Sequence, residues 1–314
     1  IQSELVGREE ELARLQTQVQ EVIKGRGSIV NVIGEAGIGK SRLCAEFASS
    51  EGMEQVTLLE GRALSVGRTL SYYPIVGVLK HWVNITEEDT EEQALTKLEA
   101  AIRTVAPEQA DDIFPYSAIL MGYSVPEAYR NRVEGVSDES LGKIMAKNLK
   151  DLIVKACEFK PIIFMLEDMH WADESTMELL ISLTGLSETA PVMFVLVYRP
   201  GYEESSDRMH TQLTQSYPDR CIDIELTSLD SRDAQTLAWN LLRGGGFPEQ
   251  ITRLIISRSE GNPFFIEEVI RSLIDTGMIT VGKQGFEVQE GIESVEIPHT
   301  INEVIMARID RLDD

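Results

Sequence analysis

Apolar positions along this chain fall into two alternating periods. Short β-type runs occupy residues 28–33 (Ser28-Ile-Val-Asn-Val-Ile33), 55–59, 162–166, 192–197 and 221–225. Between them run stretches with helical spacing. Leu12, Leu15, Val19, Val22 and Ile23 share one helix face, as do Leu141, Met145, Leu149, Leu152 and Ala156. Strands that alternate with helices predict a mostly parallel sheet with helices on both faces, an α/β fold. The interval 62–138 is too long for one connection. It carries helix signals at 73–83 and 90–105, with Pro107, Pro115 and Pro126 as punctuation, and reads as a helical insertion.

After Glu225 the pattern becomes purely helical, with predicted helices over 230–242, 248–257 and 263–275. In the last of these Ile266, Val269, Ile270, Leu273 and Ile274 form a stripe that Gly277 ends. A hairpin signal follows, Met278–Val281 and Phe286–Val288 around Gly282–Gly285. Pro298 then opens a final helix with Ile301, Val304, Ile305, Ile309 and Leu312 on one side. A helix with such a face needs a partner, so the chain is expected to stop inside a further domain.

Two segments carry chemistry. Residues 34–41 read Gly34-Glu35-Ala36-Gly37-Ile38-Gly39-Lys40-Ser41, a phosphate loop between a strand and a helix. Backbone N–H groups can converge on phosphates only where glycine removes side-chain interference, here at Gly34, Gly37 and Gly39. Lys40 adds positive charge for the β and γ phosphates, and Ser41 offers a hydroxyl to Mg²⁺. The helix that follows points its positive dipole end at the anion. The second segment, Pro161-Ile-Ile-Phe-Met-Leu-Glu167-Asp168-Met-His170-Trp171-Ala-Asp173, is an apolar strand ending in carboxylates. Phosphoryl transfer wants one acid for the Mg²⁺ water shell and one to orient the attacking water. Glu167 takes the first role and Asp168 the second, or the two are reversed. His170 either contacts phosphate or a water, or packs beneath the loop.

A third element is Tyr198-Arg199-Pro200. In phosphate-loop folds with an extra strand between the loop strand and the acidic strand, that extra strand ends beside the γ-phosphate. Arg199 then reports on the third phosphate, or is a surface arginine closing a strand. Both carboxylates, Lys40 and Arg199 form the candidate catalytic set.

Charge and cysteine content narrow the partners. The chain has 314 residues and is 43% hydrophobic, enough for more than one domain. Asp and Glu number 52 against 29 Lys and Arg, a net charge of -23. That balance disfavours direct nucleic-acid binding by this segment and anionic membrane surfaces. Cys44, Cys157 and Cys221 form no C-x-x-C pair, which argues for a reducing compartment and against zinc. No apolar run approaches the roughly 20 residues that span a bilayer, and no signal sequence is visible, so a cytoplasmic location is expected.

The motifs taken in order resemble one family. Leu5-Val6-Gly7-Arg8-Glu9, Gly34–Ser41, Leu166–Asp173, Tyr198-Arg-Pro200, Gly261-Asn262-Pro263-Phe264-Phe265 and Ala307–Leu312 together are similar to the signal-transduction ATPases with numerous domains, the STAND branch of the AAA+ superfamily. The likeness is to modules found in bacterial proteins behind class III adenylyl cyclase or Ser/Thr kinase domains. It implies a P-loop nucleotide-binding domain over 1–226, a helical lid over 227–288 and the start of a winged-helix domain over 289–314. It also implies ATP/ADP and Mg²⁺ as ligands. Val6, Gly7 and Arg8 would meet the nucleotide, with Val6 and Gly7 around the adenine. The loop residues through Arg42 would hold the phosphates, and Pro263 would pack on the base from the lid. Mg²⁺ would be held by Ser41, Glu167 and Asp168, partly through water. Pro263 can at the same time serve as the first helical residue after an Asn262 cap.

The likeness further implies a switch. ADP would hold the lid closed, whereas ATP would open it and permit homo-oligomers, with slow hydrolysis resetting the state and effector and sensor domains lying outside this segment. Arg130 and Arg132 are candidate arginine fingers. His299, in Pro-His-Thr, departs from the Met-His-Asp motif of some relatives, so ADP locking through it is not expected. A remodelling motor and the ATPase part of a transcription regulator are the alternatives.

Overall fold

The computed structural model describes residues 5–65, 71–241, 249–282 and 285–288. The Pro298 helix, the Ala307–Leu312 motif and His299 lie outside these residues. The chain forms two compact units. One comprises Ala13–Ile33 and Phe47–Glu225; the other takes the chain up to Leu12, Gly34–Glu46 and the part from Leu226 onward.

The larger unit is built on strands β1 (Ser28–Gly34), β2 (Thr57–Arg62), β3 (Ile162–Glu167), β4 (Val192–Tyr198) and β5 (Cys221–Leu226), in spatial order β2-β3-β4-β1-β5. β1 with β4, β3 with β4, and β2 with β3 pair in parallel. Every residue of β4 is buried, as expected for a central strand covered on both faces. Phe164 and Phe194 stack across β3 and β4 with centroids 5.2 Å apart.

β2 starts later than the expected 55–59 and runs on to Arg62. Residues Met53–Gln55 are taken by a 3-10 turn, and pairing with β3 continues until Arg62 faces Glu167. Gly61 makes this possible, since a Cβ there would overlap the Pro74 carbonyl oxygen.

In chain order the helices up to β3 are α1 (Glu9–Ile23), α2 (Lys40–Ala48), α3 (Tyr73–Trp82), α4 (Glu91–Val105), α5 (Ala110–Leu120), α6 (Arg130–Val133) and α7 (Asp138–Cys157). Leu15, Val19 and Val22 are the buried face of α1, part of its predicted stripe. α4 begins with a capping box in which the Thr90 hydroxyl accepts from Gln93 N and the Gln93 side chain accepts from Thr90 N. Pro115 does not punctuate; it sits inside α5. A proline there leaves the Asp111 carbonyl without its helical donor, and Asp111 is exposed to water. The buried residues around it, Ile113, Phe114 and Tyr116, secure the helix by packing.

α8 (Glu174–Thr184) is capped by Asp173, which accepts from Thr176 N at 3.0 Å, and α9 (Arg208–Ser216) precedes β5. Asp173 therefore has a structural role at the end of its acidic motif.

The smaller unit contains α10 (Ser231–Leu241), α11 (Glu249–Ser259), α12 (Pro263–Asp275) and the antiparallel hairpin β6 (Ile279–Gly282) and β7 (Gly285–Val288). Its core joins Leu237, Leu241 and Ile255 to Phe265, Ile266, Val269, Ile270 and Leu273, with Val6 packed against it. The turn from α11 to α12 uses left-handed backbone at Glu260 (φ 49) and Gly261 (φ 75). A Cβ on Gly261 would collide with the Leu229 carbonyl oxygen, while Leu229 N donates to the Gly261 carbonyl at 2.9 Å. Gly261→Ala should therefore cost more than the ~1–2 kcal/mol of left-handed strain alone. Urea denaturation should show this loss; unchanged stability would mean that the turn can relax away from Leu229.

Candidate functional site

The phosphate loop belongs to the smaller unit. It starts where β1 ends at Gly34 and finishes where α2 begins at Lys40, with left-handed backbone at Gly37 (φ 75) and Gly39 (φ 102). Each carbonyl from Gly34 to Gly39 accepts a hydrogen bond. Lys40 Nζ donates to Gly34 O and to Glu35 O, both at 2.8 Å. Asn262 Nδ2 donates to Ala36 O at 3.0 Å, and Phe264 N to Gly37 O at 3.2 Å. Arg8 Nη2 donates to Ile38 O at 3.4 Å, and Leu43 N to Gly39 O at 2.9 Å. A trans peptide is planar, with its C=O and N–H pointing in opposite directions. Fixing the carbonyls of Ala36, Gly37 and Ile38 therefore turns the N–H groups of Gly37, Ile38 and Gly39 away from those donors. Free loop N–H directions of this kind in a glycine-rich turn at a helix start are what an anion-binding concavity needs, so the residues present fit a polyphosphate.

The residues predicted to flank the nucleotide take varied positions. Arg8 is buried, at 5% exposure, and its guanidinium is engaged by protein groups: Glu11 at 3.1 Å, the Ile38 carbonyl and the Thr227 carbonyl. It fixes the N-terminal segment to the loop. Gly7 (φ 65) passes so close to α10 that a Cβ would overlap the Asp233 carboxylate. Pro263 is the first residue of α12, after Asn262, whose Oδ1 accepts from Phe265 N at 3.3 Å. The Ser41 side chain lies on an exposed position, and Arg42 reaches toward Glu46 at 3.9 Å within α2.

The acidic motif lies in the larger unit. Glu167 ends β3, and Asp168 takes a left-handed conformation (φ 57) before a 3-10 turn over Met169–Trp171. Arg62, at the end of β2, meets both carboxylates: Nη2 is 3.0 Å from Glu167 Oε2, and Nε is 3.5 Å from Asp168 Oδ2. The sequence marks Arg62 only as the edge of the insertion. The strand register, which sets Arg62 opposite Glu167, makes the arginine part of the acidic cluster. β4 lies between β1 and β3, all three parallel, so their carboxyl ends share one edge of the sheet.

Arg199 follows β4 directly, with its Nε buried and lacking a hydrogen-bond partner among the described residues. His170 is fully buried, its ring 4.9 Å from Trp171 and 4.7 Å from Tyr202. The structure shows the ring packed among these aromatic side chains. Arg130 pairs with Glu127 at 2.7 Å and Arg132 pairs with Asp112, so both finger candidates face acids of the insertion. Burial pushes the Cys157 thiol up to about 12, and burial with Asp223 nearby raises Cys221 to about 11. Burial thus disfavours the thiolate, the nucleophilic form, at both.

A family model described as an AAA ATPase domain matches residues 4–195. The chain belongs to the AAA ATPase domain family. A second model, described as a domain of unknown function, matches residues 230–285 of this AAA ATPase, from α10 to the hairpin. The uncharacterized protein R02095 of Rhizobium meliloti (strain 1021) is 27% identical over 268 residues, covering 84% of this chain and 24% of that protein. The AAA ATPase chain thus spans less than a third of this relative.

Among solved structures, the Aeropyrum pernix ORC1 protein in complex with DNA is similar at 14% identity and TM-score 0.50, over 98% of this chain and 66% of that one. That likeness concerns the fold. A STAND protein with a tetratricopeptide repeat sensor from Pyrococcus horikoshii matches at 14% identity and TM-score 0.41, over 86% of this chain and 30% of that one. No helix among the described residues of the AAA ATPase is long and apolar enough to cross a membrane.

Proposed function

We propose that this AAA ATPase domain is a nucleotide-operated switch of the STAND type, binding ATP and ADP with Mg²⁺ and hydrolysing ATP slowly to control attached effector domains and homo-oligomerisation. The observation that supports this reading is the placement of the phosphate loop within the same compact unit as helices α10 to α12. An element that holds phosphates and is bonded to a helical lid can pass nucleotide state to that lid. A ligand shifts such an element only through its differential affinity for the two states.

In this reading the loop N–H groups and Lys40 bind the β and γ phosphates, and Ser41 holds Mg²⁺ with Glu167 or Asp168. The metal supplies charge neutralisation of the phosphate oxygens. Asp168, or Glu167 in the reversed assignment, orients the water that attacks the γ-phosphorus, giving ADP and phosphate. Arg199 reports on the third phosphate, Val6 and Gly7 wrap the adenine, and Pro263 packs on it from the lid. The net charge of -23 supports a segment without direct nucleic-acid contact. Three cysteines with no disulfide between them support a cytoplasmic setting.

Pro263→Ala tests the switch. It should weaken ADP more than ATP, speed ADP release and raise the fraction that assembles on ATP addition, whereas Pro248→Ala, outside the Gly-Asn-Pro turn, should do neither. Equal losses for both nucleotides, measured by calorimetry, would leave Pro263 as a structural first-turn proline. Rapid continuous turnover without retained ADP would favour a remodelling motor instead.

A further inference from the structure

Asn262 lies between the first turn of α12 and the phosphate loop of the same unit, and its carboxamide is used at both ends. Oδ1 caps α12 by accepting from Phe265 N at 3.3 Å, while Nδ2 donates to Ala36 O at 3.0 Å. Two residues on, Phe264 N donates to Gly37 O at 3.2 Å. The approach is close: a Cβ on Gly37 would lie 2.8 Å from Asn262 Oδ1 and 2.8 Å from Phe264 Cβ. The first turn of α12 thus holds two consecutive loop carbonyls.

We propose that Asn262 is a positioning residue for phosphate recognition. By fixing the Ala36 carbonyl it aims the Gly37 N–H, and with Phe264 N it sets the direction of two successive loop amides. The lid therefore shapes phosphate affinity through the loop backbone, without reaching the ligand itself. This inference rests on the nucleotide-binding reading above, and it separates two routes by which the Gly-Asn-Pro turn acts: Pro263 through the base, Asn262 through the phosphates. Gly261 is needed for the same reason, since its left-handed turn delivers Asn262 to Ala36. Asn is the residue that fits, because the position needs an acceptor for the cap and a donor for the loop on one short side chain. Asp and Ser retain the acceptor and lack the amide donor that reaches Ala36.

The test compares ADP with inorganic pyrophosphate, which carries phosphates and no base, by titration calorimetry in the presence of Mg²⁺. Asn262→Ser should weaken both ligands by about fivefold, the effect of losing one net hydrogen bond. Asn262→Asp, which keeps a charged cap at the helix N-terminus and so protects folding, should lose at least as much affinity for both. Undiminished pyrophosphate binding in Asn262→Ser, or a loss confined to ADP, would overturn the proposal and return Asn262 to a cap alone. Failure of the unsubstituted chain to bind either ligand would overturn the proposed function and this inference with it, an outcome separate from both.

Discussion

Replacing Lys40 with alanine should abolish the stabilisation that ATP gives the folded chain. For the unsubstituted protein, ligand at a hundred times its dissociation constant adds about 2.7 kcal/mol. Lys40 is buried at 8% exposure, with Nζ spanning the Gly34 and Glu35 carbonyls. The substitution removes the loop's own cation and leaves two carbonyls without their donor, so both charge and loop shape are lost together. Stability without nucleotide should also fall, by roughly 1 kcal/mol for each hydrogen bond removed. The informative quantity is therefore the difference between melting curves with and without Mg-ATP, measured for each variant. An ATP-dependent shift in Lys40→Ala equal to that of the parent would refute the assignment of residues 34–41 to phosphate binding.

The sheet was legible because its strands are short runs rich in β-branched and apolar residues, set apart by length from the 3.6-period stripes between them. The β2 boundary was not, because it is set by pairing with β3, a partner more than a hundred residues away. Pro115 misled for a related reason: a proline breaks a helix only where the missing hydrogen bond cannot be replaced, and Asp111 faces water. The candidate site divides in the same way. Glycine spacing and the Lys-Ser pair announce the phosphate loop, since their chemistry is local. Three interactions that shape the site are long-range: Arg62 on Glu167, Arg8 on the Ile38 carbonyl, and Asn262 on the Ala36 carbonyl. Asn262 had a signal of sorts. Asn before Pro at a helix start reads as a cap, and the cap leaves the amide nitrogen of the same side chain to be accounted for.

Asp168→Asn should slow hydrolysis by two orders of magnitude or more while leaving nucleotide binding within about twofold, as expected for loss of a positioned catalytic group. The substitution suits the site. Asp168 occupies left-handed backbone (φ 57), which Asn tolerates as readily as Asp, so the turn into Met169 is kept. Neutralising the carboxylate also breaks its ion pair with Arg62, whose Nε stands 3.5 Å away. With the arginine side chain 51% exposed, that pair adds little to folding. A fall in turnover therefore reports on the carboxylate and not on collapse of the site. Glu167→Gln is the matched comparison, because Glu167 has the closer hold on Arg62, at 3.0 Å. If Asp168 orients the water and Glu167 attends the metal, Glu167→Gln should raise the Mg²⁺ concentration needed for half-maximal turnover, and Asp168→Asn should not. Turnover in Asp168→Asn close to that of the parent, measured by phosphate release at saturating Mg-ATP, would show that the water-orienting acid is elsewhere, with Glu167 the first residue to examine.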